Sequence, residues 1–280
     1  MRIRIAIVVA MLLLVYAAGA QTPVSPRYFG PNAFQVPQSP ELMFGGGDES
    51  IKVEIAGDFI RGRLSGLDNT SDVHLKLSLP LFTDRARLTV WWEVHEWYKM
   101  DDGILKYRGR VDNLITDHTA GPLFVSTEIL LLKERKTVPC LIVRSVLRTA
   151  SETEDAFPDR RGYDSAGYFF DVLLGKTIGP VSVSASTGFL CWQTGDGSQN
   201  DAVMFSVDVS CTPCSFLKAS AQFGGYVGWR NDGDFPMSLR LRTDFGKEKW
   251  LVKPLAEYRH GFKDWPFDMF RVGVAANIRL

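Results

Sequence analysis

Apolar and polar side chains alternate with a period of two from residue 50 to the end of the chain. In the last segment, one face holds Phe270, Val272, Val274, Ala276, Ile278 and Leu280, and the other holds Arg271, Gly273, Ala275, Asn277 and Arg279. Successive side chains of a β-strand point to opposite faces, so the pattern predicts strands with one apolar and one polar face. About twelve strands are predicted, at residues 51–64, 72–81, 86–98, 122–133, 138–150, 166–177, 180–193, 201–211, 215–229, 235–245, 249–261 and 268–280.

The connections between these strands alternate in length. Short turns are predicted at 83–84, 135–137, 178–179, 212–213 and 246–248, and longer loops at 65–71, 99–121, 151–165, 194–200, 230–234 and 262–267. An even number of antiparallel strands, with short turns on one side and long loops on the other, is typical of bacterial outer-membrane barrels. The sequence therefore predicts an all-β fold, a transmembrane antiparallel up-and-down β-barrel over residues 50–280.

A soluble β-sandwich is the alternative, because its strands alternate in the same way. A sandwich does not require long and short connections to lie at opposite ends. Aromatic residues also lie near the predicted strand ends, at Trp97, Tyr98, Tyr168, Trp192, Tyr226, Trp229 and Tyr258 beside the long loops and at Phe82, Phe216, Phe245 and Trp250 beside the turns. Two such belts are typical of the two membrane interfaces, which favours the barrel.

The first 49 residues follow a different pattern. Two arginines precede an apolar stretch over residues 5–15, and a small-residue site ends at Ala20, so residues 1–20 are predicted to be a signal peptide cleaved after Ala20. A spanning helix needs about 20 apolar residues, more than this stretch provides. Residues 21–49 hold five prolines and a run of three glycines. This composition predicts an extended, Pro/Gly-rich periplasmic arm or a plug-like tail.

The charge balance limits the classes of partner. The chain has 32 basic and 32 acidic residues, so its formal net charge is zero, and nucleic acid is not an expected partner. With 45% hydrophobic and 23% charged residues, the composition also excludes a disordered chain. Partners expected of a barrel are outer-membrane lipid, small polar solutes, and an envelope protein bound through residues 21–49 or the long loops. No cofactor is implied.

If the apolar faces meet lipid, the opposite faces line the lumen. The predicted lumen-lining residues are Lys76, Arg87, Glu93, His95, Glu128, Arg144, Arg148, Asp171, Asp208, Arg240, Arg242, Glu257, Arg259, Arg271 and Arg279, with Lys52, Glu54, Asp58, Lys218, Asp244 and Lys253 on the same face. In a wet lumen these charges favour porin-like passage of small polar solutes, with some preference for anions. In a narrow lumen they pair and close it, which gives a non-conducting structural or partner-binding barrel. The sequence leaves both hypotheses open.

A hydrolase at the outer rim is a third hypothesis. Its candidate bases are His95, predicted to face inward beside Glu93, and His260, near Glu257 and Arg259. The sequence contains neither a G-x-S-x-G elbow nor an H-E-x-x-H spacing, so no catalytic residue and no metal site is assigned.

Cys211 and Cys214 form a C-x-x-C pattern, but at a predicted tight turn between two strands. Without a helix to lower a thiolate pKa, this placement is typical of a turn disulfide or of two unreactive thiols. Cys140 and Cys191 fall at opposite ends of the predicted barrel and are not expected to pair.

Three segments carry a resemblance to a known family. They are Ser25-Pro26-Arg27-Tyr28-Phe29-Gly30-Pro31-Asn32-Ala33-Phe34, Leu132-Lys133-Glu134-Arg135-Lys136, and Thr149-Ala150-Ser151 followed by Gly167-Tyr168-Phe169-Phe170-Asp171. Together they resemble a family of uncharacterised outer-membrane proteins from Bacteroidetes. The resemblance implies an outer-membrane barrel and no assigned activity. One departure is the final residue, which is Leu280 where many such barrels end in an aromatic residue.

Overall fold

The computed structural model describes residues 30–33, 35–43, 50–64, 66–81, 85–107, 116–151, 166–194, 198–228, 234–247 and 250–279. The strands are β1 (Ser50–Gly62), β2 (Asp68–Leu81), β3 (Ala86–Met100), β4 (Thr116–Thr119), β5 (Leu123–Leu132), β6 (Cys140–Arg148), β7 (Gly167–Ile178), β8 (Val181–Thr194), β9 (Ser198–Cys214), β10 (Leu217–Gly228), β11 (Met237–Phe245), β12 (Val252–Phe262) and β13 (Phe267–Arg279). A short helix, α1 (Asp102–Tyr107), follows β3.

Twelve of these strands form a closed antiparallel barrel. Each barrel strand pairs with its neighbours in sequence, and β1 pairs with β13 from Ser50↔Arg279 to Gly62↔Phe267, which closes the ring. The remaining strand, β4, pairs only with the end of β3, from Glu96↔Thr119 to Lys99↔Thr116. We call the end of the barrel at Ser50 the inner mouth and the end at Gly62 the outer mouth. The predicted all-β up-and-down barrel is confirmed.

The outer surface of the barrel is apolar, as the alternation predicts. Along β13, Phe270 and Val272 are 56% and 63% exposed, while Met269 and Arg271 on the opposite face are 1% and 2% exposed. This arrangement is the reverse of a soluble protein, in which polar side chains face outward. A continuous apolar outer surface with a polar interior is the arrangement of a transmembrane barrel. Among the described residues, no helix is long and apolar enough to cross a bilayer.

The connections differ from the prediction in length and position. At the outer mouth, β1–β2, β8–β9 and β12–β13 are joined by residues 63–67, 195–197 and 263–266, which are as short as the inner turns. Of the connections at the outer mouth, those after β3, β6 and β10 are longer. The difference in length between the connections at the two mouths is therefore smaller than predicted. At the inner mouth, the predicted turn at 212–213 lies inside β9, and the turn falls at residues 215–216.

The β7–β8 turn shows why a glycine is needed at one of these positions. Gly179 has a φ of +60°, which side-chain-bearing residues rarely adopt, and Pro180 follows it. Glycine then proline is the pair expected in a type II′ turn, whose twist matches that of the flanking strands. The turn therefore fixes the register of the β7–β8 pair, which runs without interruption from Ile178↔Val181 to Gly167↔Trp192.

The lumen is occupied by the chain itself. Residues 30–33 and 35–43, which we call the luminal segment, run through the barrel from the outer mouth to the inner mouth and precede β1 in the chain. Ala33 and Val36 are buried in a cluster with the inward-facing residues Phe124, Phe169 and Trp192. The prediction of a periplasmic arm is therefore corrected for this part of residues 21–49, which lies inside the barrel in the manner of a plug.

Candidate functional site in the barrel lumen

The outer end of the luminal segment is held by side-chain hydrogen bonds. The Asn32 amide donates to Asp72 at 2.9 Å and to Glu96 at 2.8 Å, which lie on β2 and β3 near the outer mouth. The Gln35 amide donates to the Asn32 side-chain oxygen at 2.8 Å. The Trp265 indole, from the β12–β13 connection, donates to the carbonyl of Pro31 at 3.1 Å. These contacts place this end of the segment at the outer mouth.

The middle of the luminal segment bonds to the wall through its backbone and its side chains. Arg144 donates to the carbonyl of Gln38 at 2.6 Å, and the Gln38 amide oxygen accepts from the Arg259 guanidinium. The Ser39 hydroxyl lies 2.6 Å from that of Ser206, which in turn lies 2.7 Å from that of Ser186. Two of these partners, Arg144 and Arg259, are buried guanidinium groups, and Ser206 is a neutral hydroxyl. Water can take the place of the segment at each of them.

The inner end of the segment carries its one described charged residue, Glu41. The Glu41 carboxylate lies 3.1 Å from the ammonium of Lys52, and its carbonyl accepts from Arg87 at 2.8 Å. The next residues, Leu42 and Met43, cover an apolar patch of the wall formed by Leu130, Cys140, Ile142 and Leu173. The segment is thus anchored at the inner mouth by one ion pair, one hydrogen bond from Arg87 and one apolar contact.

The charged side chains of the wall pair mainly with one another. Most pairs are buried and several are bidentate, and they join Arg271 to Asp58 at 2.5 Å, Arg144 to Asp171 at 2.7 Å, Arg240 to Glu257 at 2.7 Å, Arg259 to Glu257 at 2.6 Å, Arg242 to Glu54 at 2.9 Å, and Arg87 to Glu128. Bidentate arginine–carboxylate pairs have fixed geometry and resist reorganisation. These pairs of the wall are therefore formed without the luminal segment.

An apolar layer crosses the lumen nearer the outer mouth. The rings of Trp91 and Phe124 stack at 4.9 Å, and Trp192 packs edge-on to Phe124 and to Phe169. Tyr226 is fully buried in the same cluster. Trp192 and Tyr226 therefore lie inside the barrel, and Tyr98 is buried against α1 at the outer end of β3. This corrects the prediction that these three residues belong to an interfacial belt.

A β-bulge in β3 changes which side chains reach the lumen. His74 pairs with Glu93, but Val73 pairs with His95, so one residue of β3 has no partner on β2. Beyond the bulge, the β3 side chains that would otherwise face the lumen face outward, and their neighbours face the lumen. Glu96 is buried at 1% exposure, whereas His95 lies on the outer side against Trp97, with ring centroids 4.4 Å apart. This corrects the prediction that His95 lines the lumen.

Four buried carboxylates meet beneath Asn32, and two of them, Asp72 and Glu96, are not among the residues predicted from the sequence. Carboxylate oxygens of Asp58, Asp72 and Glu93 lie within 4.8 Å of one another, which makes them the closest approach to a metal-ligating set among the described residues. Arg271 contacts Asp58 and Glu93, so a fixed positive charge already occupies the position next to them. The geometry is that of an ion-pair network.

His74 belongs to the same network and is likewise not among the predicted lumen-lining residues. Its Nδ1 lies 2.9 Å from Glu93, and its Nε2 lies 4.0 Å from Glu54. Asp72 and His74 have the same parity as Lys76, so the alternation alone would have identified them. Glu96 follows the bulge, and its inward position had no signal in the sequence.

The second candidate base, His260, does not lie beside Glu257 and Arg259. Those two residues face the lumen, and His260 faces outward near the outer rim, with its Nδ1 2.6 Å from Asp268. The Tyr258 hydroxyl donates to the same carboxylate at 2.8 Å. The cluster is a polar group at the edge of the apolar surface.

The remaining predicted residues have varied positions. Lys76 and Asp208 are half-buried on inward faces, and Arg148 is fully buried with its guanidinium 5.6 Å from the Trp192 ring centroid. The side chain of Arg279 lies outside the described residues. The four cysteines are all free, so Cys211 and Cys214, at the end of β9, form no disulfide in this structure.

Comparison with known proteins identifies the fold class. No family model matches the chain, and no curated protein matches it. Among solved structures, the COG4313 outer membrane channel from Pseudomonas putida F1 has a TM-score of 0.64 at 7% identity, covering 86% of this chain and 100% of that one. The NanC porin has a TM-score of 0.53 at 10% identity, covering 80% of this chain and 98% of that one. The KdgM porin has a TM-score of 0.50 at 11% identity, with the same coverage.

At these identities the comparisons show the fold, and the fold they share is that of Gram-negative outer-membrane β-barrels. This agrees with the apolar outer surface, the closed ring of twelve strands and the charged interior.

Proposed function

We propose that the protein is an outer-membrane channel for small polar solutes, closed by its own luminal segment. The observation that supports this most directly is the pairing of wall charges with wall charges, as in Arg144–Asp171 and Arg240–Glu257. Removing the luminal segment would leave these pairs intact and facing water. A polar interior of this kind suits a water-filled lumen, whereas a permanently filled barrel gains nothing from charges it must bury.

The contacts of the luminal segment support its release. Its described residues carry a single charge, at Glu41, and its polar contacts are hydrogen bonds to neutral wall residues such as Ser206 and to charged ones such as Arg144. A neutral bond contributes on the order of 1 kcal/mol net and a bond to a charged group about 1.5–3 kcal/mol, because water replaces it when the segment leaves. The fold of solved porins and channels is consistent with this proposal.

The proposal also includes the export of the protein and the family to which it belongs. Residues 1–20 are removed on export, the barrel lies in the outer membrane, and the chain belongs to the Bacteroidetes-type family of uncharacterised outer-membrane proteins. Passage of solutes, rather than hydrolysis, is its activity, and small anions are preferred because the lumen wall is rich in arginine.

A non-conducting barrel is the second candidate, and the apolar layer favours it. Trp91, Phe124, Phe169 and Trp192 contact one another directly, so part of this layer remains when Ala33 and Val36 leave. A hydrophobic constriction can exclude water and ions even where it is not filled. In that case the barrel would serve as a structural or partner-binding element.

A disulfide that locks the luminal segment separates the two candidates. Ser39→Cys with Ser206→Cys places two thiols where the hydroxyls are 2.6 Å apart, in a chain whose four native cysteines are replaced by alanine. In planar bilayers we expect ion conductance after reduction and none after oxidation. The Ser39→Cys single variant is the control, and its conductance should not respond to oxidation.

A second variant keeps this test decisive if the reduced protein rarely opens. Val36→Asp places a charge in the apolar layer, where Val36 is 4% exposed, and should increase the time spent open. Val36→Ile is its matched control and should behave as the unmodified chain. Absence of conductance in the reduced double-cysteine protein and in folded Val36→Asp would establish the non-conducting barrel.

A further inference from the structure

A cavity of about 770 Å³ opens at the inner mouth, next to the end of the luminal segment. We call it the inner cavity. Its lining includes Glu41, Lys52, Glu54, Lys76, Lys218, Arg242, Asp244, Lys247 and Lys253, with hydroxyl and amide groups from Ser78, Thr212, Ser215 and Asn277. Cavities of about 300–1,000 Å³ are typical of small-molecule sites. The inner cavity is therefore large enough for a small solute.

The inner cavity has an excess of positive charge. Six cationic side chains and three carboxylates line it. Glu54 and Asp244 are both engaged by Arg242, at 2.9 and 2.7 Å, and Glu41 is engaged by Lys52 at 3.1 Å. Among the described residues, Lys76, Lys218, Lys247 and Lys253 form no ion pair. Four ammonium groups around one cavity favour the binding of an anion.

One of the three carboxylates does not belong to the wall. Glu41 is carried by the luminal segment, and its carboxylate lies in the field of Lys52, Lys218, Lys76 and Arg87, which come from four different strands. Glu41 thus already acts as an anionic ligand of the wall. An anion of higher charge would bind the same lysines more strongly than a single carboxylate can.

We propose that the inner cavity binds a small multivalent oxyanion, with two or more phosphate or carboxylate groups, in place of the Glu41 carboxylate. Binding releases the inner end of the luminal segment and favours opening. Lysine ammonium groups bind such groups as point charges, and Thr212, Ser215 and Asn277 supply neutral donors. The coupling to opening rests on the proposed channel function, and the binding site itself does not.

Calorimetric titration of the folded full chain tests the site. Pyrophosphate and citrate are the probes for the phosphate and carboxylate sources, and acetate is the monovalent control. We expect saturable binding of at least one probe and none of acetate. Glu41→Gln removes the resident carboxylate and should tighten binding. Lys76→Gln with Lys218→Gln should weaken it at least tenfold.

The matched control is Lys106→Gln. Lys106 is an exposed lysine on α1, at the outer mouth, and its replacement should leave the affinity unchanged. Absence of saturable binding, or equal weakening by Lys106→Gln and by the Lys76/Lys218 pair, would overturn the site. Equal affinity of Glu41→Gln and the unmodified chain would overturn the exchange with Glu41.

Conductance with the same probes separates this proposal from the channel function. Addition of the bound probe at the inner side should raise the open probability several-fold, and the oxidised Ser39→Cys/Ser206→Cys protein should not respond. A channel that conducts but neither binds nor responds to the probes contradicts only the present inference. A protein that binds a probe but never conducts retains the site and loses the channel function.

Discussion

Arg271 of the wall contacts three carboxylates, as many as Arg242 does. It pairs with Asp58 at 2.5 Å and lies 3.7 Å from Glu93 and 3.9 Å from Glu54. Its side chain is 2% exposed, and Asp58 and Glu93 are equally buried. Removing the cation would leave several acidic groups close together with little water, so Arg271 is essential for the wall at the β1–β13 seam.

Arg271→Gln is expected to lower the free energy of unfolding by about 3–5 kcal/mol, as for other buried pairs that lose one partner. The measurement is equilibrium unfolding by urea in lipid vesicles. Arg61→Gln, at an exposed arginine of β1, is the control and should change stability by less than about 0.5 kcal/mol. Adding Asp58→Asn to Arg271→Gln should recover part of the loss, because it removes one unpaired charge. Similar losses for Arg61→Gln and Arg271→Gln would contradict this role.

At the scale of elements, α1 and the outer end of β3 form a small unit above the barrel. Ile104 and Leu105 of α1 are buried against Tyr98 and Met100 of β3. Asp101 begins the helix, because its carboxylate accepts from the backbone N–H of Ile104 at 3.0 Å. It also accepts from the N–H of Leu67 at 2.6 Å, which ties the β1–β2 connection to the helix.

Asp101→Ala is expected to destabilise α1 by about 1 kcal/mol, the usual cost of losing an N-cap. Amide hydrogen exchange at Ile104 and Leu105 measures this loss. Asp102→Ala is the control, since Asp102 is acidic in the first turn without the capping bonds. If both variants exchange at the same rate, Asp101 does not cap the helix.

The cap also predicts a pH dependence. The backbone N–H groups of Leu67 and Ile104 hold the pKa of the Asp101 carboxyl below its ordinary value. A carboxyl with a lowered folded-state pKa stabilises fully above its unfolded pKa of about 3.9, and the contribution is lost as the pH falls through the folded value. Protection of α1 should therefore fall below about pH 4, and Asp101→Ala should remove this dependence.

The strands were predictable from the sequence, and the irregular parts were not. The alternation identifies β13 almost residue by residue, because every side chain on one face meets the same apolar surroundings. The bulge in β3 leaves Glu93, His95 and Trp97 alternating as before, so the sequence has no mark of the reversed parity. The pairing of β3 with β2 determines which β3 side chains face the lumen, and this pairing depends on residues distant in the chain.

The sequence predicts that the luminal segment is extended, but leaves its place open between a periplasmic arm and a plug-like tail. The segment lacks alternation because its two sides do not face lipid and water. Its partners, such as Asp72, Ser206 and Trp265, come from strands and connections far apart in sequence. Only the closed barrel brings these residues around one peptide. The sequence therefore predicts the charged wall, leaves the plug-like tail as one of two expectations, and does not identify its contacts.

At the scale of the whole molecule, the apolar outer surface determines how the barrel lies in a membrane. Val272 faces outward near mid-height, where it is flanked by Gly57 of β1 and Ala256 of β12. Ile178 is exposed at the end of β7, at the inner mouth. The membrane midplane should therefore lie near Val272 and the interface near Ile178.

Val272→Arg is expected to reduce stability in lipid vesicles by about 2–4 kcal/mol, because it buries a charge at the bilayer midplane. Ile178→Arg should cost about 0–1 kcal/mol, because the interface hydrates the guanidinium. Reversible unfolding in vesicles provides both values. Equal costs at the two positions would show that the outer surface does not follow the depth of a bilayer.

The path of the luminal segment also limits the order in which the barrel can assemble. The segment precedes β1 in the chain, and β1 closes the ring by pairing with β13. If β1 paired with β13 first, the part of the chain that carries Asn32 and Gln35 would have to pass the stacked rings of Trp91 and Phe124 to enter the lumen. Desolvating those amides in transit is unfavourable. Assembly avoids this cost if the barrel closes around a peptide already in place, whereas each opening of the channel has to meet it. Pairing of β1 with β13 is therefore expected to be the last step of biogenesis.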